Sequence, residues 1–237
     1  METLQARFGP DRLVDFVSQV PLFLDIAAEP LASLTAACRL DTFGPPGDIF
    51  RQGDPADRVW IVVDGQVKIV RSDETGREAI LEVLSKGEAF GGAVIFLPEH
   101  PATARPLTDT ATTVSLPRFA YERALRESPD AALRIIHMLG HRLHSSIRMN
   151  QLAGERVERR LAYILLKMGR VCGRPGPEGI ALRVSLSRQD LADMAGTTLE
   201  TAIRILSRFR KDGLVETRRG GYLLLRNEGG LKKIARS

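Results

Sequence analysis

The chain has 237 residues, room for two ordinary domains, and 43% are apolar, which excludes a polypeptide too polar to form a core. No run of 18 apolar residues could cross a membrane as a helix, and "METLQARFGPDRLVDF" is charged where a secretory signal needs an apolar stretch; no membrane partner and a cytoplasmic location are therefore expected. The net charge of +5 is unevenly spread: residues 155–237 carry 18 Lys/Arg against 9 Asp/Glu, whereas residues 1–154 are net acidic at −4, which points the C-terminal third at a polyanion.

Taken in chain order, "DRLVDFVSQV" and "PLASLTAAC" place apolar residues at helical spacing, with Pro21 and Pro30 as boundaries. From Phe43 the pattern changes. Glycines recur at Gly53, Gly65, Gly76 and Gly87, separating the runs "VWIVV", "QVKIV" and "AILEVL"; short strands of a sandwich or barrel are predicted, continuing through "ATTVSL". Asp64-Gly65 between two of the runs predicts a hairpin. A long helix then opens at Pro129-Asp130, with Ser128 as its N-cap. Its seam is Ala132, Ile136, Leu139, Leu143, Ser146, Asn150 and Ala153, widened by Leu133, Ile135, Ile147 and Met149, and it suits a dimer contact as well as packing on the barrel. Gly154 is the predicted hinge before "VERRLAYILLKMGRV", the next helix, and "CGRPGPEG" reads as a loop.

The stretch "LSRQDLADMAGTTLETAIRILSRFRKDGLV" reads as two helices around a turn. Ser187 caps the first with Asp190 three residues on, Leu191, Met194 and Ala195 form its inner face, Gly196 allows the turn, and Thr198 caps the second. In the second helix Ala202, Ile205, Leu206 and Phe209 form a stripe to be buried, which leaves Leu199, Glu200, Ile203, Arg204, Ser207, Arg208 and Lys211 on the other side. A carboxylate accepts from the exocyclic amine of cytosine, and a guanidinium forks onto guanine O6 and N7, so Glu200 and Arg204 are the candidate base readers. Ser187, Arg188, Gln189, Thr198, Ser207 and Arg208 are candidate phosphate contacts, joined by Arg218 and Arg219 on the strand–turn–strand "LVETRRGGYLLL". The competing reading is a solvated face on which Glu200 and Arg204 pair with each other.

These residues resemble the winged helix-turn-helix of the CRP/FNR transcription regulators, whose reader helix carries E-[ST]-x-x-R, here Glu200 to Arg204. "GDIFRQGDPADRVWIVVDGQVKIV" resembles the β-roll of the same family. The resemblance implies an α+β chain in three parts: an N-terminal cyclic-nucleotide-type β-roll over residues 1–128, a dimerisation helix over 129–154, and a DNA-binding domain over 155–237. It also implies a homodimer on palindromic double-stranded DNA, RNA polymerase as a further partner, and an unknown small-molecule effector. Leu199 stands where the cyclic-AMP-receptor branch has an arginine, so the FNR-like half-site TTGA is expected, with Leu199 against a thymine methyl and Ile203, in place of serine, at the flanking base.

The sensing half departs from the pattern that the resemblance would require. The cyclic-nucleotide signature has an acid after Phe-Gly and an arginine before Ser/Thr-Ala, but here Phe90-Gly91-Gly92 and Ala102-Thr103-Ala104 supply neither. The effector pocket is expected at Phe90, Gly91, Gly92, Ala102, Thr103, Arg105 and Ser146, and cyclic AMP is disfavoured. The two cysteines, Cys38 and Cys172, exclude a disulfide framework, and an FNR-type iron–sulfur cluster is disfavoured because no cysteine precedes Cys38. Haem stays open through His137, His141 and His144, which share one helical face opposite the apolar seam, and through the isolated His100. There is no G-x-S-x-G, H-E-x-x-H or P-loop, so no enzyme is expected. Two alternatives stand beside the regulator: a ligand-binding subunit whose basic domain docks a protein, and a constitutive regulator with a vestigial sensor.

Overall fold

The computed structural model describes residues 10–236 apart from 25, 75, 77, 94, 154, 155, 183, 185, 219 and 220. The predicted hinge Gly154 and the wing residue Arg219 lie outside the described residues, as do the side chains of Ser146, Met149, Asn150 and Ala153. Two compact bodies form, residues 1–69 with 84–143, and residues 144–237 with the segment 70–83.

The first body opens with α1 (Pro10–Ser18), a 3-10 turn (Pro21–Phe23) and α2 (Ala28–Ala36). The second helix starts two residues before Pro30, the predicted boundary. Proline is tolerated in a first turn because its missing N–H has no intrahelical partner there anyway. Strands β1 (Arg39–Phe43), β2 (Arg58–Asp64), β3 (Val67–Ser72), β4 (Glu78–Leu84), β5 (Ala89–Phe90), β6 (Thr103–Pro106) and β7 (Ala111–Pro117) make two sheets, ordered β1-β7-β2-β5 and β4-β3-β6.

β2 explains why its sequence is an unbroken apolar run rather than an alternating one. Val59, Ile61 and Val63 join the core that α1, α2 and the later helices cover, whereas Trp60 and Val62 join a second core with Phe50, Val67, Leu84, Phe90 and Ala104. Both faces of the strand are buried, so both parities are apolar. The Asp64-Gly65 turn does not make the predicted hairpin: β2 pairs with β5 and β7, whereas β3 lies in the other sheet. The turn is seated on the 107–111 segment instead, with Leu107 N–H donating to Gln66 O at 2.8 Å and Gln66 N–H to Thr108 Oγ1 at 2.9 Å. Gly65 has φ +75°, and a Cβ there would meet Thr110 O at 2.3 Å, so only glycine lets the chain cross between sheets at this point.

A helix that the sequence pattern did not single out, α3 (Arg118–Glu127), precedes the long helix α4 (Pro129–Ala153). Ser128 Oγ accepts the Ala131 N–H at 3.3 Å, the predicted N-cap. The edge of α4 that meets the core is Ala131 and Ile135, while Ile136 and Leu143 are 63% and 62% exposed and Leu133, Leu139 and Ile147 also face out. Among the described residues the predicted seam is therefore an uncovered stripe from Ile136 to Leu143, whereas Ile135, expected to widen it, turns into the core. Arg134 donates to Leu24 O and Arg142 to Ala89 O, fastening the helix to the body beneath it.

In the second body α5 (Val157–Cys172) runs into a sheet of order β10-β11-β9-β8, built from β8 (Gly173–Gly176), β9 (Gly179–Leu182), β10 (Val215–Thr217) and β11 (Leu223–Leu225). The expected loop at 172–179 is thus a hairpin. Its glycines serve close approach rather than flexibility: a Cβ on Gly173 would lie 2.0 Å from Gly169 O, and one on Gly179 2.1 Å from Leu225 O. Between the sheet strands lie α6 (Arg188–Ala195) and α7 (Leu199–Lys211), and α8 (Glu228–Arg236) closes the chain with Leu231 fully buried. No helix among the described residues is long and apolar enough to cross a membrane.

Candidate nucleic-acid interface

The two-helix unit is held by caps at each junction. Ser187 Oγ accepts the Asp190 N–H at 2.9 Å, and Asp190 Oδ2 accepts the Ser187 N–H at 3.0 Å, a complete capping box. Gly196 ends α6 in the left-handed region at φ +58°, and Thr197 N–H reaches back to Ala192 O at 3.0 Å. Thr198 Oγ1 then accepts the Thr201 N–H at 3.3 Å to start α7. One further residue, which the sequence pattern did not mark, fixes this turn. Arg160 on α5 donates from Nε to Ala195 O at 2.7 Å and from Nη2 to Gly196 O at 3.4 Å. Its only sequence-level signal is an arginine two places beyond an acid in the first turn of α5, which many surface helices share.

Ala202, Ile205, Leu206 and Phe209 are buried, as the stripe predicts. Glu200, Arg204, Ser207, Arg208 and Lys211 are exposed, Ile203 is 43% exposed and Leu199 is half-buried. Glu200 and Arg204 do not pair with each other or with any other described residue, which removes the intrahelical ion pair as their explanation. A carboxylate and a guanidinium one turn apart, both without a partner among the described residues, form a donor and acceptor pattern facing outward.

The candidate phosphate contacts divide. Ser187 donates its one hydroxyl proton to Asp190 at 2.6 Å and Gln189 donates to Asp193 at 2.6 Å, so both are engaged inside α6. The Ser187 hydroxyl can donate to a phosphate only by giving up that bond. Arg188 donates to Thr217 Oγ1 at 3.1 Å, joining α6 to the wing. Arg208 pairs with Glu158 at 3.2 Å, and Arg218 with Glu178 and Glu216 at 2.7 and 2.8 Å. Thr198 is spent on its cap, and Ser207 has no described partner.

Of the residues expected to line an effector pocket, Phe90, Gly92, Ala102 and Thr103 are buried and Gly91 and Arg105 partly so, while the side chain of Ser146 lies outside the described residues. Phe90 is buried, with its ring centroid 5.9 Å from Trp60 and 6.1 Å from Phe50. A Cβ on Gly91 would meet the Trp60 ring at 2.9 Å, and one on Gly92 would meet the Tyr121 hydroxyl at 2.8 Å. Tyr121 thus occupies the room an acidic side chain would need, and burial pushes its phenol up to about 12. Ala102 and Thr103 are buried, with Thr103 Oγ1 accepting the Gln52 N–H at 3.0 Å. Arg105 pairs with Asp48 at 3.1 Å, which also holds Arg51 at 3.1 Å.

His100 belongs to the same cluster. It is 1% exposed, stacked on Phe50 at 3.8 Å and 5.4 Å from Trp60, and neither ring nitrogen has a hydrogen-bond partner among the described residues. Burial lowers its pKa, against a weaker upward pull from Asp54 and Asp57. His137, His141 and His144 are all exposed, and no group of three or more His, Cys, Asp or Glu among the described residues could hold a metal ion. Cys172 is buried and donates to Met168 O, while burial pushes the Cys38 thiol up to about 12.

Residues 43–128 match the family model described as a cyclic nucleotide-binding domain, and residues 159–234 match a Crp-like helix-turn-helix domain. A global nitrogen regulator from Synechocystis sp. is 33% identical over 181 residues, which span 74% of this chain and 80% of that relative. A CRP-like cAMP-activated global transcriptional regulator from Mycobacterium tuberculosis is 28% identical over 226 residues, 94% of this chain and 99% of that one. Among solved structures, FixK2 from Bradyrhizobium japonicum matches with a TM-score of 0.75 at 25% identity, covering 83% of this chain and 96% of that chain.

Proposed function

Because the chain belongs to the CRP/FNR family of transcription regulators, we propose that it reads a palindromic, TTGA-like duplex as a homodimer. The observation that carries this reading is the outward, internally unpartnered pair Glu200 and Arg204 on α7. Glu200 accepts from cytosine N4, Arg204 forks onto the guanine of TTGA, Leu199 meets a thymine methyl, and Ile203 faces the flanking base. Arg188, Ser207, Arg208, Arg218 and Arg219 hold the phosphates on either side, and these set register without carrying sequence.

The dimer reading rests on the uncovered stripe Ile136, Leu139 and Leu143 of α4, an apolar face that a second copy of the helix would cover. Two reader helices then enter successive major grooves about 34 Å apart. The working parts are the effector body at 1–128, the dimerisation helix at 129–154 and the DNA-binding domain at 155–237. The protein acts in the cytoplasm, and RNA polymerase is the partner through which the bound dimer changes transcription. The roll takes an unknown small-molecule effector other than cyclic AMP, since Gly92 and Ala102 offer neither acid nor arginine and Tyr121 fills the space beside Gly92.

Selection from a random duplex pool tests the reading. The expected product is an inverted repeat with one G·C position per half-site that loses its enrichment in Arg204→Ala. A pool with no enriched repeat, or a G·C preference indifferent to Arg204, overturns it. Sedimentation of Leu143→Glu is expected to give a monomer where the native chain gives a dimer.

A further inference from the structure

The charged side chains of the reading surface fall into two sets. Glu200 and Arg204, assigned to bases, have no internal partner among the described residues, whereas two of the arginines assigned to phosphates already sit on carboxylates from other elements. Glu158, in the first turn of α5, holds Arg208 of α7 at 3.2 Å, fifty residues away in sequence. On the wing side, Glu178 in the β8–β9 turn and Glu216 on β10 both hold Arg218, at 2.7 and 2.8 Å. Arg226 bonds the same two acids at 3.7 and 2.7 Å and closes a neutral ring of two carboxylates and two guanidinium groups.

We infer that Glu158, Glu178 and Glu216 act as built-in phosphate surrogates that set the sequence-independent affinity of this domain for duplex. The inference rests on the DNA-reading function proposed above. A carboxylate offers a guanidinium the same fork of anionic oxygens as a phosphate. An arginine that must give up such a partner to reach DNA gains little from the exchange, and the displaced acid is left facing a phosphate backbone. Sequence-independent binding is almost wholly this electrostatic gain, scaling with the phosphates neutralised. Compensated phosphate arginines therefore hold non-cognate binding down. The base readers keep their full gain because no described residue competes for them. All three acids and their arginines are partly exposed, so the pairs can open without exposing any core.

The test uses the full chain, the duplex recovered by selection and a shuffled duplex of the same length, titrated across salt concentrations. The isosteric variants Glu158→Gln and Glu178→Gln with Glu216→Gln are each compared with a control of equal net charge: Glu228→Gln, which removes one acid from a pair with Lys232 on α8, and Glu228→Gln with Glu127→Gln, which removes a second from a pair with Arg123 on α3. Glu158→Gln and the double variant are each expected to bind the shuffled duplex roughly threefold or more tighter than the control at low salt, with log K steeper in log salt by close to one unit for each arginine released. The ratio of selected to shuffled affinity should stay unchanged. A gain no larger than that of the control of equal net charge, or any loss of affinity, overturns the inference; a loss assigns the acids to holding the arginines in position. If the native chain binds no duplex in a salt-dependent way, the functional reading itself fails.

Discussion

The reading surface of α7 and the interior of the roll are the two places where the sequence pattern expects a ligand, and they are built in opposite ways. On α7 Glu200 and Arg204 are exposed and have no partner among the described residues, on a helix held in place by caps, by Arg160 and by the buried stripe beneath. In the roll the corresponding positions are packed against the protein itself: Phe90 and Gly91 lie against Trp60 on one face of β2, Gly92 lies against Tyr121 in the other core, and Arg105 is bound to Asp48. A duplex is a large rigid polyanion, so a surface that meets it can stay open and still be stable. A glycine packed in an interior has no such freedom, because any added atom must displace close-packed neighbours.

Four substitutions break or sharpen this contrast, in falling order of effect. Gly92→Glu, which restores the family's acid, should drive a carboxyl into Tyr121 and cost about 1–3 kcal/mol by overpacking, with more from burying charge. Thermal unfolding should show a lower Tm, and calorimetry no heat with cyclic AMP. An unchanged Tm with cyclic AMP binding gained would mean that the roll is open after all. Arg204→Ala should cost about 1–3 kcal/mol of affinity for the selected duplex while leaving Tm in place, since the side chain is exposed and pairs with no described residue. A large Tm loss would move Arg204 from reader to scaffold. Ser187→Ala removes the capping box and should cost about 1 kcal/mol of stability, measured by denaturant unfolding.

The smallest effect concerns acid. His100 has a folded pKa below its unfolded value of about 6.5, so the folded state binds fewer protons. Its contribution is intact above pH 6.5 and is lost as pH falls below that value toward the lowered folded pKa. His100→Phe should flatten the Tm profile between pH 7 and 5 and leave Tm unchanged at pH 7.5. Fluorescence of Trp60, the chain's one tryptophan, reports the same titration from 5.4 Å away. An identical slope in both proteins would assign the acid sensitivity to other groups.

Much of the DNA-facing half was legible because its signals are local. A capping serine with an acid three residues on, a glycine at the turn and apolar residues spaced by three and four each act within one or two turns of helix. The parts that were missed depend on distant partners. The β8–β9 hairpin has no alternating pattern, because Gly173 and Gly179 are there for close approach to Gly169 and Leu225. The Asp64-Gly65 turn has hairpin chemistry, yet Thr108 and Thr110 decide that it crosses between sheets. Arg160 resembles any other arginine of a basic helix until the fold brings the Ala195 carbonyl to it.

By itself, the order of residues determined which side chains of α7 point inward and which outward, because helical periodicity and caps are properties of neighbours along the chain. Only the tertiary structure decided which of the outward charges are free: the acids that hold Arg208 and Arg218 come from other elements, and pairing of that kind depends on where the folded backbone puts them. It likewise decided that the space beside Gly92 is taken, since that depends on where Tyr121 comes to rest.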